Sequence, residues 1–522
     1  MKTNFYDVII VGSGASGSAA AWNFCKSGLK VLCLEQGAEI DNHKYLMHSA
    51  DNDEIHDFNY SPNMRKLKSD YPVDDDNSPI KIANYNAVGG STVLYSGHFP
   101  RFRESDFKTK TTDNVAFDWP INYQELEPYY NLNDSIIGIS GLSGDPVYPS
   151  IKNLLPPVSI GKSGELIAKA YDSLGWHWWP SYSAIINKNF KNRSKRVNQG
   201  KSTDLTYIPL AKSKGLELIT KSRAIKLITD KFNNIESIVY EKSNRLNYAH
   251  ASLFVLACSG LGTPRLLLNS KNNFYENGLA NSSGLLGKNL MLHPLGLAEG
   301  VFDDFIESYV GPPGCCIYSH QFYDTNKINE FKRGYTMQVL RGSGPLETAN
   351  SLLKFKKLSK GKKFHESFFN KYGKNIPIAI ICEDLPEMHN SVELDTEHLD
   401  SSGMPGVKIN YKLSENSKRM LSHGINNAKK VLKEAGAKSI LGFGPVSNTG
   451  WHIMGTAKMG SKKTDSVVNK FGKAHDFNNL VIVDSSIFPT SSAVNPASTI
   501  QALSLKITSE IIKNKYNFSP KI

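Results

Sequence analysis

The first hydrophobic pattern in the chain is an apolar run, Val8 to Val11, typical of a strand buried on both faces. A glycine-rich turn follows with Gly12, Gly14 and Gly17, and it opens an alanine-rich segment that predicts a helix. The next run, LKVLCLE, predicts a second strand ending at Glu35. Strand, turn, helix and strand in this order predict a dinucleotide-binding unit of an α/β fold.

Each residue type in this unit has a physical task. The first glycine permits the tight turn, the second lets the backbone approach a pyrophosphate, and the third lets helix and strand pack closely. The N-terminal N–H groups of the helix favour phosphate there, beside Ala15 and Ser16. Glu35, followed by Gln36, is placed to accept hydrogen bonds from ribose hydroxyls, which argues against a 2′-phosphate. A glycine-rich turn in an unrelated α/β fold would leave Glu35 unexplained.

Further patterns continue the α/β alternation. Residues 41–76 are polar without sustained periodicity and predict loops and short helices over the site. In VGGST, Gly90 precedes Ser91 and Thr92, which is expected where backbone passes against a flat ligand. Residues 216–228 and 252–270 predict two strands flanking a hairpin, and LVIVD predicts a buried strand before a helix that opens at NPAST.

Length and composition narrow the class of protein. At 522 residues and 40% hydrophobic, the chain can form two domains or one large domain with insertions. The early first strand leaves no room for a signal peptide, and no apolar run reaches membrane-spanning length, so we expect a cytoplasmic location. Six scattered cysteines lack CxxC or zinc spacing, which favours buried thiols over disulfides or a metal site.

The formal net charge of +12 raises the question of nucleic acid. The lysines are spread along the chain without a nucleic-acid motif, so we expect no such partner. One local cluster, Leu352 to Lys374, carries eight lysines among apolar residues. It is consistent with a solvated amphipathic surface helix, or with a docking site for an acidic partner or a membrane surface.

The glycine-rich unit, the VGGST stretch and the WPxxYxxLxPYY pattern of residues 119–130 together resemble the glucose-methanol-choline family of FAD-dependent alcohol oxidoreductases. The resemblance is to the bacterial branch that includes gluconate and sorbitol dehydrogenase flavoprotein subunits. GLLGKNLMLHP at 284–294 and the segment 383–411 follow the same pattern, so the resemblance extends over nearly the whole chain.

This resemblance implies a Rossmann-like FAD-binding domain built from discontinuous segments, 1–155, 204–298 and 442–522. An inserted sheet-and-helix substrate domain is expected from 156–203 and 299–441. The resemblance also implies FAD contacts beyond the residues already named, at Ala224, Cys258, Asp484, Asn495, Pro496 and Thr499.

Oxidation of an alcohol requires a group that accepts the hydroxyl proton while hydride leaves the carbon. By position in the family pattern that group is His452, and Asn495 holds the alcohol oxygen. Taken alone, a histidine in a glycine-rich loop is more often structural, and Asn before Pro is usually a turn or cap. His293 is interpreted as a packing or capping residue. No nucleophile elbow is present, so nothing favours a hydrolase.

Two departures from the family pattern affect these expectations. Relatives often carry cysteines where Ile186 to Thr203 has none. Some relatives tether FAD through a histidine at the position of Leu94, so we expect non-covalent FAD here. His98 lies four positions further, about 13 Å away if the segment is extended.

The expected function is oxidation of an alcohol, such as a sugar, sugar acid or polyol, to the carbonyl compound by hydride transfer to FAD. Two alternatives remain open: a lyase with structural FAD on the same fold, and a flavoprotein subunit of a multi-component dehydrogenase. The electron acceptor, whether oxygen, a quinone or a cytochrome, also stays open.

Overall fold

The computed structural model describes residues 5–40, 61–185, 201–311, 314–355 and 361–514. The strands are β1 (Phe5–Val11), β2 (Val31–Leu34), β3 (Val73–Asp74), β4 (Trp179–Pro180), β5 (Glu217–Ile219), β6 (Ser222–Thr229), β7 (Ile235–Lys242), β8 (Arg245–Leu256), β9 (Leu295–Val301), β10 (Cys315–Ser319), β11 (Tyr335–Leu340), β12 (Asn375–Cys382), β13 (Ser391–Leu399), β14 (Pro405–Asn410), β15 (Ser439–Phe443) and β16 (Leu480–Ile482).

The α-helices are α1 (Ala15–Lys26), α2 (Pro62–Arg65), α3 (Thr109–Asp113), α4 (Tyr123–Ile137), α5 (Gly161–Leu174), α6 (Tyr207–Lys212), α7 (Ser259–Asn269), α8 (Pro345–Phe355), α9 (Lys362–Lys371), α10 (Glu415–Glu434) and α11 (Ala497–Lys513). Short 3-10 helices span Gly90–Val93, Glu104–Lys108 and Ser485–Ile487. None of the described helices has the length and apolar content needed to cross a membrane.

The first sheet has seven strands in the order β5-β2-β1-β8-β7-β6, with β16 also paired to β8. Its centre is parallel: β1 pairs with β2 and β8, and β16 pairs with β8. Strands β6, β7 and β8 form the antiparallel hairpin segment that the sequence predicts. The predicted α/β fold class is confirmed, and the strands of the first sheet come from the N-terminal, middle and C-terminal thirds of the chain.

Helices cover the parallel centre, which explains its continuous apolar runs. Every residue of β2 and the run Val8 to Val11 are buried. Helix α1 packs against α6 and α11. Helix α11 is buried along most of its length, and Asn23 of α1 donates from Nδ2 to Thr508 Oγ1 of α11 at 2.8 Å.

The second sheet is antiparallel, with six strands in the order β15-β9-β12-β11-β10-β4. Its side chains alternate between two environments, as the period of a strand requires. In β11, Tyr335, Met337 and Val339 join the core cluster formed with α5 and α10. Gln338 and Leu340, which alternate with Met337 and Val339, line a cavity on the other face of the sheet. The sheet therefore separates a helix-covered core from a cavity wall.

Three further predictions from sequence concern the polar stretch 41–76, the domain limits and the lysine-rich segment. Within 41–76, residues 41–60 lie outside the described ranges, and β3 is a strand that the polar pattern did not predict; it pairs with β14. The predicted domain limits stay a prediction, and β9 and β15 run across the limits at 298 and 441. In the lysine-rich segment, α9 begins directly after Gly361, whose φ is +114°.

Candidate active site

A cavity of about 510 Å³ is lined by residues of both large sheets. This volume lies in the range of roughly 300–1,000 Å³ that is usual for ligand and cofactor sites. We call the part around Gly14, Glu35 and Gly90 the cofactor end. The part around His452 and Asn495 is the reacting end.

The three glycines of the turn after β1 differ in their surroundings. A Cβ on Gly12, whose φ is +95°, would lie 2.5 Å from the Ala257 carbonyl oxygen. A Cβ on Gly17 would lie 1.9 Å from the Gly12 carbonyl oxygen, which is impossible without movement. A Cβ on Gly14 would meet nothing closer than 3.9 Å, and Gly14 lines the cavity. The first and third glycines serve the turn and its packing, and the second leaves room beside the start of α1.

A second glycine-containing segment closes this end of the cavity. A Cβ on Gly90 would lie 2.9 Å from Gly14 Cα, so the 3-10 helix Gly90–Val93 contacts the turn. Thr92 donates from Oγ1 to the Gly89 carbonyl at 2.6 Å, which fixes the start of that helix. The narrow space between backbone segments with small side chains fits a flat dinucleotide such as FAD.

Glu35 lies at the end of β2, is buried and lines the cavity. Its Oε2 accepts from Ser13 N at 2.9 Å and Ser13 Oγ at 2.8 Å, and its Oε1 accepts from Gly37 N at 2.8 Å. Burial raises the pKa of this carboxyl, and these hydrogen bonds partly counter the effect. An ionised carboxylate has about four acceptor positions, so three contacts leave capacity for a ribose hydroxyl.

Asp484 follows β16 and joins three elements at the floor of the cavity. Its Oδ2 accepts from Ser259 N at 3.1 Å and Thr263 Oγ1 at 2.6 Å, and its Oδ1 accepts from Ser486 N at 2.9 Å. Cys258 precedes α7 and also lines the cavity. The carboxylate therefore fixes the start of α7 relative to β16.

Most of the residues predicted from sequence meet in this cavity. Those that line it are Gly12, Gly14, Ala15, Ser16, Glu35, Gln36, Gly90, Ser91, Thr92, Ala224, Cys258, His452, Asp484, Asn495 and Pro496. Gly17 and Thr499 are not among the lining residues: Gly17 packs against the turn, and Thr499 Oγ1 is 2.7 Å from Tyr130 Oη. Their predicted FAD contacts, like those of the lining residues, stay predictions.

The segment from Leu94 to His98 differs from its predicted geometry. Leu94 still has helical dihedrals and Gly97 has φ +75°, so the segment bends, and the assumption of an extended chain is wrong. Both Leu94 and His98 line the cavity. His98 Nδ1 is 2.7 Å from Ser181 Oγ, and its buried Nε2 has no hydrogen-bond partner among the described residues.

At the reacting end, His452 contacts a second buried histidine. His452 Nδ1 is 3.0 Å from His293 Nδ1, and His293 Nε2 is 3.1 Å from the Ser491 carbonyl oxygen. Burial lowers the pKa of His293 to about 4 and holds that of His452 well below its ordinary value; His293 and His98 lower the latter further. Both histidines are therefore neutral near pH 7.

The Ser491 carbonyl determines which nitrogens carry protons. A carbonyl oxygen only accepts, so His293 Nε2 is protonated and its Nδ1 is an acceptor. The donor of the 3.0 Å bond must then be Nδ1 of His452. Neutral His452 then has its acceptor lone pair on Nε2, which is the form a general base requires.

Asn495 completes this arrangement just before α11. Its Nδ2 is 3.3 Å from His452 Nε2, and its Oδ1 accepts from Gln338 Nε2 at 2.7 Å. An alcohol oxygen that contacts both Nδ2 and Nε2 from the cavity side would accept a hydrogen bond from the amide and donate its own proton to the imidazole. The geometry thus suits removal of a hydroxyl proton.

Sequence reasoning missed His293 and Gln338. His293 was interpreted as a packing or capping residue, and the structure adds a direct contact with His452. Its left-handed backbone, φ +52°, gives no signal in LMLHP. Gln338 did carry a signal: it is an amide in the largely apolar pattern YTMQVL of β11.

Comparison with known families decides the class. A model described as GMC oxidoreductase matches residues 6–295, and a second model with the same description matches residues 386–504. Together these matches include more than half of the chain. The chain belongs to the GMC oxidoreductase family. As a member, it is an FAD-dependent enzyme that acts on alcohols.

Individual relatives of the GMC family agree with this. The chain is 38% identical to 2-methyl-1,2-propanediol dehydrogenase of Mycolicibacterium austroafricanum, over 96% of this chain and 94% of that protein. It is 26% identical to the fructose dehydrogenase large subunit of Gluconobacter japonicus, over 97% and 98%. The fold is similar to that of pyridoxine 4-oxidase from Mesorbium loti, with TM-score 0.65, 17% identity and coverage of 97% and 99%.

Proposed function

We propose that this GMC oxidoreductase oxidises small aliphatic alcohols to carbonyl compounds, with His452 Nε2 as the proton acceptor and Asn495 Nδ2 holding the alcohol oxygen. FAD, when bound, supplies the acceptor for the hydride. The hydroxyl proton passes to Nε2, the O–H bond electrons form the second C–O bond, and the carbinol C–H bond breaks with its electron pair leaving as hydride. Atoms and charge balance with one alcohol oxidised and one flavin reduced.

The observation that carries the proposal is the hydrogen-bond chain from the Ser491 carbonyl through His293 to His452. It holds the imidazole in the tautomer whose Nε2 is an acceptor, and burial keeps that nitrogen unprotonated at neutral pH. Without His293, the two tautomers of His452 would compete. The chain therefore supports a dedicated base rather than a structural histidine.

The cavity wall formed by the second sheet supports a smaller substrate than the sugar or polyol expected from sequence. Six residues of β9, β11 and β12 line the cavity, and five of them are aliphatic: Leu295, Leu297, Leu340, Ala379 and Ile381. A pyranose buried here would leave several hydroxyls without hydrogen-bond partners, which is costly. The relative named 2-methyl-1,2-propanediol dehydrogenase favours the same size class.

We propose non-covalent FAD because Leu94, which occupies the position of the tethering histidine in some relatives, has no nucleophile. His98 lines the same cavity, and its Nε2 has no hydrogen-bond partner among the residues that the structure describes. Acid precipitation should release the yellow flavin into the supernatant. Flavin retained in the pellet, on a peptide that contains His98, would contradict non-covalent binding.

The function itself is tested by anaerobic mixing with a substrate panel while the flavin absorbance is followed. We expect 2-methyl-1,2-propanediol and 1-propanol to bleach the flavin at lower concentrations than glucose or gluconate. Bleaching by sugars alone would contradict the aliphatic substrate class. Absence of bleaching by every alcohol would contradict alcohol oxidation.

A further inference from the structure

Gln338 is the polar exception on the aliphatic wall of the cavity. It is 5% exposed, lies on β11 and lines the cavity beside Leu340. Alternation along β11 places it on the cavity side, where an apolar residue would continue the wall. A buried amide on such a wall requires hydrogen-bond partners, because an unpaired polar group is destabilising.

The orientation of the Gln338 amide follows from the histidine chain. His452 Nε2 is an acceptor, so Asn495 must present Nδ2 to it, and Oδ1 is then directed at Gln338. Because Oδ1 only accepts, Gln338 must present its Nε2, at 2.7 Å. The hydrogen-bond chain that starts at the Ser491 carbonyl therefore ends at Gln338, whose Oε1 is an acceptor.

This oxygen has no hydrogen-bond partner in the described part of the chain. The single hydrogen bond formed by the Gln338 side chain uses Nε2. Gln338 lines the cavity and its Oε1 is not among the buried polar atoms without a partner, so this atom is open to the cavity. An acceptor there pairs with a hydroxyl of the substrate or with water.

We propose that Gln338 makes the site selective for alcohols that carry a second hydroxyl on the carbon next to the one oxidised. This rests on the proposed function, since His452 and Asn495 must hold the reacting oxygen. Gln338 bonds directly to Asn495 and both line the same cavity, so we assign its Oε1 as the neighbouring acceptor for a vicinal hydroxyl. That hydroxyl donates to Oε1, whereas a methyl group in its place leaves the amide oxygen unpaired.

The first test compares 1,2-ethanediol with 1-propanol, in which a methyl group replaces one hydroxyl at the same number of heavy atoms. We expect kcat/KM to favour the diol by about 10- to 100-fold in the unaltered enzyme, the usual effect of leaving one buried acceptor unpaired. In Gln338→Met, both substrates should react more slowly because Asn495 is no longer oriented, and the ratio should fall close to one. The surface variant Gln124→Met should keep the ratio unchanged.

A ratio that survives Gln338→Met, with both substrates slowed equally, would show that Gln338 only orients Asn495. A second measurement needs no turnover and no variant. Pinacol and 2,3,3-trimethyl-2-butanol have no hydrogen on a carbinol carbon and differ by one hydroxyl. We expect pinacol to protect the FAD-loaded protein against thermal unfolding at about tenfold lower concentration.

The outcomes separate this inference from the proposed function. Oxidation of both primary alcohols without diol preference, together with equal protection by the two tertiary compounds, would overturn the role of Gln338 alone. Stronger protection by pinacol without oxidation of any alcohol would support the role of Gln338 and overturn the proposed function.

Discussion

The cofactor end and the reacting end of the cavity are built in different ways. At the cofactor end, backbone and glycines form the walls: Gly90 lies against Gly14, and Gly17 lies against the Gly12 carbonyl. At the reacting end, side chains from distant segments form one chain of hydrogen bonds, from His293 to Gln338. The cofactor end has no room for a Cβ atom at Gly12 or Gly17. The arrangement of the reacting end depends on which atom of each hydrogen bond is the donor.

The difference shows what each end requires. Local geometry is sufficient for a phosphate-accommodating turn, because the strand, the turn and the helix are contiguous in the chain. A dedicated base requires a fixed tautomer, which a neighbouring acceptor must impose. Substitutions at the cofactor end should therefore act on folding and FAD retention, whereas substitutions at the reacting end should act on rate.

The largest effect is expected for Gly17→Ala. The new Cβ would lie 1.9 Å from the Gly12 carbonyl oxygen, so α1 must move away from β1. We expect loss of bound FAD and a lower melting temperature, measured by flavin absorbance after gel filtration and by thermal unfolding.

Gly14→Ala is the matched control in the same turn. Its Cβ meets no protein atom closer than 3.9 Å, and Gly14 has a φ of −71° that alanine adopts easily. This variant should fold normally and bind FAD more weakly, since the added methyl group enters the cavity. Normal FAD retention in Gly17→Ala would contradict the packing role of that glycine.

The next largest effect is expected for His452→Ala. Removing the base should slow anaerobic flavin reduction by roughly 10²-fold or more, the usual contribution of a positioned acid-base group, while FAD stays bound. Stopped-flow absorbance with a saturating alcohol measures this rate. The control His475→Ala removes a half-buried histidine that bonds Ser466 away from the cavity lining. Near-normal reduction in His452→Ala would disprove the assignment.

The sequence predicted the cofactor end more completely than the reacting end. The turn with Gly12, Gly14 and Gly17 and the acid at Glu35 are contiguous patterns. In the structure Gly12, Gly14 and Glu35 line one cavity, and Gly17 packs against the turn. His452 and Asn495 were identified only through their position in the family pattern. The reason is distance along the chain, because each of them forms its hydrogen bond with a partner in a remote segment.

The missed partners illustrate this. His293 and His452 are separated by 159 positions, and Gln338 and Asn495 by 157. No local pattern encodes a contact over such a separation. The bend after Leu94 was missed for a different reason. A glycine in a sequence marks either a turn or a close approach of the backbone, and only the structure shows that Gly97 has a positive φ and forms a bend.

A smaller effect is expected for His293→Ala, which removes the acceptor that fixes the tautomer of His452. The lost hydrogen bond, about 1.4 kcal/mol, corresponds to roughly tenfold slower flavin reduction. We expect the decrease in kcat rather than KM, because substrate still binds Asn495. A conservative replacement, His293→Gln, retains an acceptor and should recover part of the rate. If both variants reduce flavin at the normal rate, the tautomer argument fails.

The smallest effect on flavin reduction is expected at the basic helix α9. This helix buries none of its residues, and Lys362 and Lys363 on it are exposed. We expect that changing Lys362 and Lys363, together with Lys374 just beyond the helix, to Gln leaves anaerobic reduction unchanged. Lys371 is kept, because its Nζ pairs with Glu299 at 2.9 Å. Exposed ion pairs such as Lys362 with Glu366 contribute little to stability, so the melting temperature should also hold.

Electron transfer to a macromolecular acceptor is the measurement that this variant should change. Charges at the rim of an interface mainly alter the association rate and its salt dependence. With an anionic redox protein as acceptor, the triple variant should therefore react more slowly at low salt and respond less to added salt. A control variant with Lys108, Lys110 and Lys152 changed to Gln carries the same net charge and should keep the original salt dependence. If anaerobic reduction collapses in the first variant instead, α9 belongs to the substrate site or to the fold, and the contrast between cavity and surface fails.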